Sequence, residues 1–245
     1  MKLSVVIPAR NEVASIQTTL WSLRKTLTDA QIDAEIVVVD DGSTDGTGEK
    51  VAEIAKIDPR VRLLINRASH GYGFAVRRGL DAFLGDAVVV MMADGTDSPD
   101  DVIAYYQVLQ TRDCAFGTRW GRGGKVVGYP LFKRLINRLA NRLIGLLFLT
   151  TYNDTTNGFK GYRRCAVEGC KPFHAGHFNF TVEFPLKAIT RGYSWGVVPT
   201  RWCNRTGGKT HLRLGEQAPR YLYTLLTIWL EKLLVRRDYY RGDTA

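Results

Sequence analysis

The chain has 245 residues, 45% hydrophobic and 24% charged, a balance that excludes a disordered chain and a low-complexity fibre. Lys and Arg outnumber Asp and Glu 34 to 24, and the net charge of +10 suits phosphate-bearing partners: a nucleotide, an anionic lipid surface or a nucleic acid. Four cysteines (Cys114, Cys165, Cys170, Cys203) make no CxxC pair, which argues against a zinc knuckle or a disulfide scaffold and for buried reduced thiols.

Residues 3–7 (LSVVI) form a short apolar run between Lys2 and Pro8. It is too short for a signal peptide and reads as a strand. Residues 35–39 (EIVVV) and 87–91 (AVVVM) are runs of the same kind. Between them, residues 12–27, 47–55 and 72–84 space their apolar side chains as helices do. This alternation predicts an α/β domain with a Rossmann-like, mostly parallel sheet flanked by helices. Each strand ends in a polar loop: 8–12 (PARNE), 40–46 (DDGSTDG) and 93–101 (ADGTDSPDD). Ligands of such sheets bind beyond the carboxyl ends of the strands, so the three loops define one expected crevice.

The second half is less regular. Residues 114–118 (CAFGT) read as a strand and the glycine-rich 119–128 as a loop. Pro130 opens a helix. Asn157-Gly158 marks a turn before a strand at 159–162, and 194–201 reads as a further strand. Pro219 is expected to open a last helix running to about Arg237. No run reaches the roughly 20 apolar residues of a membrane span. A cytoplasmic protein is expected, peripheral on the inner face of the membrane if it meets one. Residues 131–147 place Phe132, Leu135, Ile136, Leu139, Leu143, Leu146 and Leu147 on one arc, with Lys133, Arg134, Asn137, Arg138 and Asn141 opposite. Such a helix either packs its apolar arc on the core or lies on anionic lipid.

Two adjacent carboxylates at the end of a buried strand, Asp40 and Asp41, are costly unless something binds them. Carboxylates accept hydrogen bonds, which suits a base N–H or ribose hydroxyls. Ser43, Thr44 or Asp45 can cap the next helix. The segment VVVDDGSTDGT resembles the signature of glycosyltransferase family 2, nucleotide-sugar-dependent enzymes with a GT-A fold. Residues 5–12 (VVIPARNE) are similar to that family's opening motif. The nearest resemblance within it is to the dolichol-phosphate mannose synthase type, the polyprenyl-phosphate sugar synthases. Gly117-Thr118-Arg119 with the glycine-rich loop, Asn157-Gly158-Phe159-Lys160-Gly161-Tyr162-Arg163, Val198-Pro199 and the later Arg205, Gly208 and Lys209 follow in that type's order. The resemblance covers residues 3–212.

It implies an inverting transfer of a sugar from a nucleoside diphosphate to a polyprenyl phosphate. Residues 1–215 would form the GT-A domain and 216–245 a C-terminal helical extension. Pro8, Arg10, Glu12, Asp40, Asp41, Ala93 and Asp94 would hold the nucleotide sugar, with Arg205 and Lys209 closing over its diphosphate. Asp94, Arg119 and Arg134 would be catalytic. One departure stands out: the family's Asp-x-Asp metal motif is Met92-Ala93-Asp94 here. Mg2+ or Mn2+ would then rest on Asp94, with Asp97 as substitute, because magnesium often takes one or two carboxylates and fills its octahedron with phosphate and water.

A lipid monophosphate arrives already anionic, its second pKa being about 6, and needs no enzymic base. A hydroxyl acceptor would need one, and Asp154 and Glu183 are the candidates. The alternatives are thus a family 2 enzyme acting on a glycan or other hydroxyl, and a non-catalytic nucleotide-sugar-binding module, which Met92 motivates. The four histidines, His70, His174, His177 and His211, lack metal-ligand spacing and read as structural. A homodimer through the last helix is a further option. A nucleic-acid partner is not expected, since no reader motif is present and the acidic loops would repel a phosphate backbone.

Overall fold

The computed structural model describes residues 1–67, 69–203 and 214–241. Strand β1 (Leu3–Ala9) is buried at every position. Helix α1 (Val13–Asp29) follows, burying Ile16, Leu20, Leu23 and Leu27, one stripe at helical spacing. β2 (Ala34–Asp40), equally buried, pairs in parallel with β1, so that Ala9 lies opposite Asp40 and the two polar loops leave the sheet at one level. α2 (Thr47–Ile57) then leads to β3 (Val61–Ile65), a strand absent from the sequence expectation. It pairs in parallel with β2 but is only partly buried, and Arg62 interrupts its apolar run by pairing with the buried Glu35.

α3 (Tyr72–Leu80) ends four residues before the expected Leu84, at Asp81 and the turn before β4 (Ala87–Val90). α4 (Asp101–Leu109) begins just after Ser98-Pro99, and β5 (Cys114–Thr118) matches the expected strand. The glycine-rich segment expected to be loop contains β6 (Lys125–Val127) and leads to α5 (Leu131–Phe148). β7 (Lys160–Arg163), α6 (Arg164–Gly169) and α7 (Phe180–Thr190) follow. The single strand expected at 194–201 divides into β8 (Trp195–Pro199) and β9 (Arg201–Cys203). It breaks at Thr200, whose N–H donates to Thr118 in the large sheet while its carbonyl accepts from Lys125. The last helix, α8 (Leu214–Leu234), starts before Pro219 rather than at it, and gives way to a short α9 (Arg236–Tyr239).

The main sheet has the order β3-β2-β1-β4-β7-β5-β8. β7 runs antiparallel to both neighbours and every other pairing is parallel. β6 and β9 form a separate parallel pair. The α/β expectation is met. One core lies between α1, α2, α4 and the sheet, another between α3, α6, α7 and its opposite face. Cys114 and Cys170 are buried as expected, but Cys165 and Cys203 are exposed; all four are free thiols.

α7 carries no amphipathic signal because it is buried nearly all round, and it contains Pro185. Pro185 has no N–H to give the carbonyl of Thr181, four residues back. The Lys160 ammonium fills that role at 3.2 Å, while also donating to the carbonyls of Thr155 at 3.0 Å and Asn157. Burial pushes the Lys160 amine down to about 7.

α5 is oriented against the usual rule. Its apolar arc points outward, with Leu131 at 80%, Leu146 at 69% and Leu139 and Leu143 each at 58% exposure. The reading of α5 as a helix packed on the core by that arc is therefore wrong. Its polar side faces the protein: Asn137 and Asn141 donate to Thr156, Thr155 donates to Asn141, and Arg138 donates to the Asn153 carbonyl. Only Ile144 and Phe148, near its end, join Val182, Leu186 and Ile228 in a small core shared with α7 and α8. Among the described residues no helix is long and apolar enough to cross a membrane.

Candidate active site

The candidate site is formed by the loops at the carboxyl ends of β1, β2 and β4, which lie side by side in the sheet. Its floor is two loops tied to each other. The Asn11 amide donates to Ser43 Oγ, the Thr44 amide donates to Asn11 Oδ1, and the Glu12 amide donates to Thr47 Oγ1. Asp45 holds two helix starts: one oxygen accepts from the Thr47 amide in α2 and the other from the Val13 amide in α1. The acidic loop thus caps the helix behind it and the one before it.

Asp40 and Asp41 are both buried, and each has a distinct role. Asp40 accepts from the Ser43 amide at 2.9 Å and so closes the turn. A Cβ on Gly48 would come within 2.6 Å of its other oxygen, so only glycine lets α2 approach this carboxylate. Asp41 reaches across the crevice. Its Oδ1 accepts from Asn66 Nδ2 at 2.6 Å and faces His70 Nδ1 at 3.2 Å. Its Oδ2 accepts from the Gly71 amide at 2.7 Å, with the Arg10 guanidinium 3.8 Å away. Asn66 and His70 escaped the sequence reading. They lie beyond β3, a strand without a clear sequence signal, and His70 reads as structural from sequence because it lacks metal-ligand spacing. Arg10 is exposed, Pro8 is buried and Glu12 is half-buried at the same rim.

The loop after β4 places Ala93 and Asp94 beside this floor; Thr19 of α1 donates to the Ala93 carbonyl. Asp94 Oδ1 accepts from both the amide and the hydroxyl of Thr96. Asp97, the expected substitute ligand, is buried and accepts from the Met92 amide at 3.0 Å, which ties one of its oxygens to its own loop, and burial pushes its carboxyl up to about 7. Among the described residues no group of three or more His, Cys, Asp or Glu could hold a metal ion. The donor set therefore fits a magnesium-like ion only through Asp94, with phosphate and water supplying the remaining ligands.

Opposite the acidic loops stand the cations. Arg119 makes a two-pronged pair with Asp154 (Nε–Oδ2 2.9 Å, Nη2–Oδ1 2.7 Å), and its amide donates to the same carboxylate. Burial alone would lower the guanidinium pKa; the bonds and charge of Asp154 override it and raise the value. The Arg119 side chain is 10% exposed and that of Asp154 is 0% exposed, so the pair is sealed. Asp154 is thereby spent as a general base. Glu183 is spent as well: its oxygens accept from the amides of His174 and Ala175, both at 2.8 Å, and pair with Lys187 at 2.9 Å. Arg134 and Arg138 come from α5 and lie 5.1 and 5.4 Å from the Trp120 ring. Arg205, Lys209 and His211 lie outside the described residues.

Acid-tipped parallel strands continued by an antiparallel β7 define a GT-A glycosyltransferase, and solved structures agree on this fold. Two crystal structures of glucosyl-3-phosphoglycerate synthase from Mycobacterium tuberculosis resemble the chain at 24% identity. The complex with UDP has a TM-score of 0.69, covering 93% of this chain and 80% of that one. The complex with Mn2+, UDP and phosphoglyceric acid has a TM-score of 0.71, covering 93% and 78%.

The family model for glycosyl transferase family 2 matches residues 4–170, and the chain belongs to that family. It is similar to the undecaprenyl-phosphate mannosyltransferase of Micrococcus luteus, 28% identical over 88% of this chain and 89% of that protein. The polyprenol monophosphomannose synthase of Mycolicibacterium smegmatis is 30% identical over 83% of this chain and 78% of its own length. The dolichol-phosphate mannosyltransferase of Pyrococcus furiosus is 34% identical over 91% of this chain, which spans 62% of that longer protein. The chain is a glycosyltransferase.

Proposed function

We propose that the protein moves a sugar, with inversion, from a nucleoside-diphosphate sugar to a polyprenyl phosphate at the cytoplasmic surface of a membrane. The observation that carries this reading is α5: its leucines face outward while its arginines Arg134 and Arg138 gather at Trp120, beside the site. A helix so built lays its apolar face into the interface between lipid headgroups and chains, and its cations are then positioned for a headgroup phosphate. The names of the relatives point to the same acceptor.

The chemistry follows from the charges. A phosphate oxygen of the acceptor attacks the anomeric carbon from the face opposite the nucleotide. A carbon–oxygen bond forms, the bond to the diphosphate breaks, and its electron pair leaves on the diphosphate oxygen. No proton has to be removed from a phosphate that is mostly dianionic near neutral pH, its second pKa being about 6. This matches a site in which Asp154 and Glu183 are both tied up. Catalysis then consists of positioning and charge stabilisation. Asp41, with Asn66, His70 and Arg10, would frame the nucleoside; Asp94 would hold Mg2+ or Mn2+, which supplies positive charge to the leaving diphosphate. Arg205 and Lys209 are proposed to close over that diphosphate. Residues 1–215 would be the catalytic domain and 216–245 a helical extension.

The test is an incubation with a panel of nucleotide sugars, a long-chain isoprenyl phosphate in vesicles, and Mg2+ or Mn2+. A sugar-linked lipid phosphate is the expected product. Product on a glycan hydroxyl alone would overturn the acceptor. Nucleotide binding with no turnover on any pairing would make the protein a binding module.

A further inference from the structure

Trp120 is 8% exposed and is the point where the site's cations meet. The guanidiniums of Arg134, Arg138 and Arg119 lie 5.1, 5.4 and 5.9 Å from its ring centre. Its backbone is locked from both sides: its amide bonds Thr118 Oγ1 at 3.1 Å, and its carbonyl accepts from the same hydroxyl and from Asn153. Its ring meets Tyr129 edge-on at 6.1 Å, and Tyr129 meets Trp202 at 5.1 Å. Trp202 is bridged to Asp97, and the next residue, Cys203, donates its amide to the Thr96 carbonyl. Three rings thus run without a gap from the loop that carries Asp94 to the helix that carries Arg134.

We infer that the Trp202–Tyr129–Trp120 row of edge-on rings is a spacer that sets the distance between the donor loop and the acceptor-binding arginines, with Trp120 as the positioning residue for Arg134 and Arg138. Arg134 is exposed and has no carboxylate partner within the ion-pair limit among the described residues, so the ring face is what restrains it. A guanidinium over an indole face is attracted by the ring quadrupole, most strongly for Trp, and keeps its donor fork free for phosphate. Arg119, sealed against Asp154, lies 5.9 Å from the same ring centre. The indole Nε1 is buried without a hydrogen-bond partner in the described structure.

This inference rests on the proposed phosphate acceptor, and the experiment separates the two. Citronellyl phosphate, a short isoprenyl monophosphate, is titrated calorimetrically into wild type, Trp120→Leu, Trp120→Phe, Arg134→Ala and the Trp120→Leu/Arg134→Ala double variant; UDP and GDP serve as nucleotide probes. Trp120→Leu is expected to weaken citronellyl phosphate about fivefold or more, and Trp120→Phe less, because its ring face attracts a cation more weakly. Nucleotide affinity should stay within about twofold in both, near the error of such comparisons. In the Arg134→Ala background, Trp120→Leu should cost less than it does in wild type, the remainder being its hold on Arg138, since coupled residues are non-additive and a merely structural residue would lose the full affinity again. If Trp120→Leu fails to fold, the Phe variant carries the same comparison. Citronellyl phosphate affinity unchanged in Trp120→Leu, or additive losses in the double variant, overturns the spacer while leaving the acceptor intact. No effect of Arg134→Ala, or no binding by wild type, overturns the acceptor reading itself.

Discussion

The two walls of the site are built on opposite principles. The wall formed by the loops after β1 and β2 satisfies itself: Asn11 with Ser43 and Thr44, Asp45 with two helix starts, Asp41 with Asn66 and Gly71. The wall formed by α5 and Trp120 is left open, with Arg134 against a ring face, Arg138 against the same ring and the Asn153 carbonyl, and its leucines bare. Under the proposed function the contrast has a reason. A small, soluble nucleotide would reward a prebuilt cradle, because little ordering remains to be done on binding. A lipid phosphate would bring its own apolar surroundings, and a surface built for them would look unfinished in water.

Four measurements press on this contrast. The largest effect is expected at the buried pair behind the open wall. Arg119→Ala leaves the buried Asp154 without its cation, with only the amide of residue 119 still donating to it, and should cost about 3–5 kcal/mol in urea unfolding. A loss below about 1 kcal/mol would mean that the pair does not brace this wall. On the donor side, Asp94→Asn should lower transfer by about a hundredfold, a typical loss for one electrostatic stabiliser, with the melting temperature little changed. Full activity would remove Asp94 from the reaction. On the open side, Leu139→Glu together with Leu143→Glu should leave stability within about 0.5 kcal/mol per site, because both residues are exposed. Vesicle co-sedimentation should fall about tenfold or more, since each buried leucine is worth roughly 1.5–3 kcal/mol. Unchanged sedimentation would make the bare leucines incidental.

The smallest effect concerns pH. Lys160 titrates near 7 when folded but at the ordinary lysine value of 10.5 when unfolded. Between these values the unfolded chain binds the extra proton, so this group makes stability rise with pH, by at most about 1.4 kcal/mol per pH unit. Below pH 7 both states are protonated and its slope vanishes. Unfolding of Lys160→Met across pH 7 to 10 should show a flatter rise than wild type; parallel curves would mean that Lys160 keeps its proton throughout.

What the sequence made legible tracks how local the cause is. The runs LSVVI, EIVVV and AVVVM are buried on both faces and announce themselves, as do the polar loops that follow them. β3 is hidden because Arg62 breaks its apolar run for the sake of Glu35, a residue from another strand. α7 is hidden because a helix buried on every side has no periodicity to read. At the site, Asp40, Asp41 and Asp94 stand in recognisable motifs, but the roles of Asp97, Asp154 and Glu183 depend on partners distant in the fold or on a backbone turn. For α5 the angular arithmetic separates two faces without saying which turns inward. Thr155 and Thr156, beyond the helix, decide it by offering hydroxyls to Asn137 and Asn141.

The proline in α7 has a consequence of its own. Because Pro185 leaves the Thr181 carbonyl open and Lys160 takes it, a residue of the sheet stands in for a missing amide of the helix. An amide restored by Pro185→Ala would compete for that carbonyl, and the ammonium would lose one of its three acceptors. Chains that replace the lysine with a neutral side chain should therefore be the ones that can also dispense with the imino acid, and either exchange made alone should be the worse tolerated.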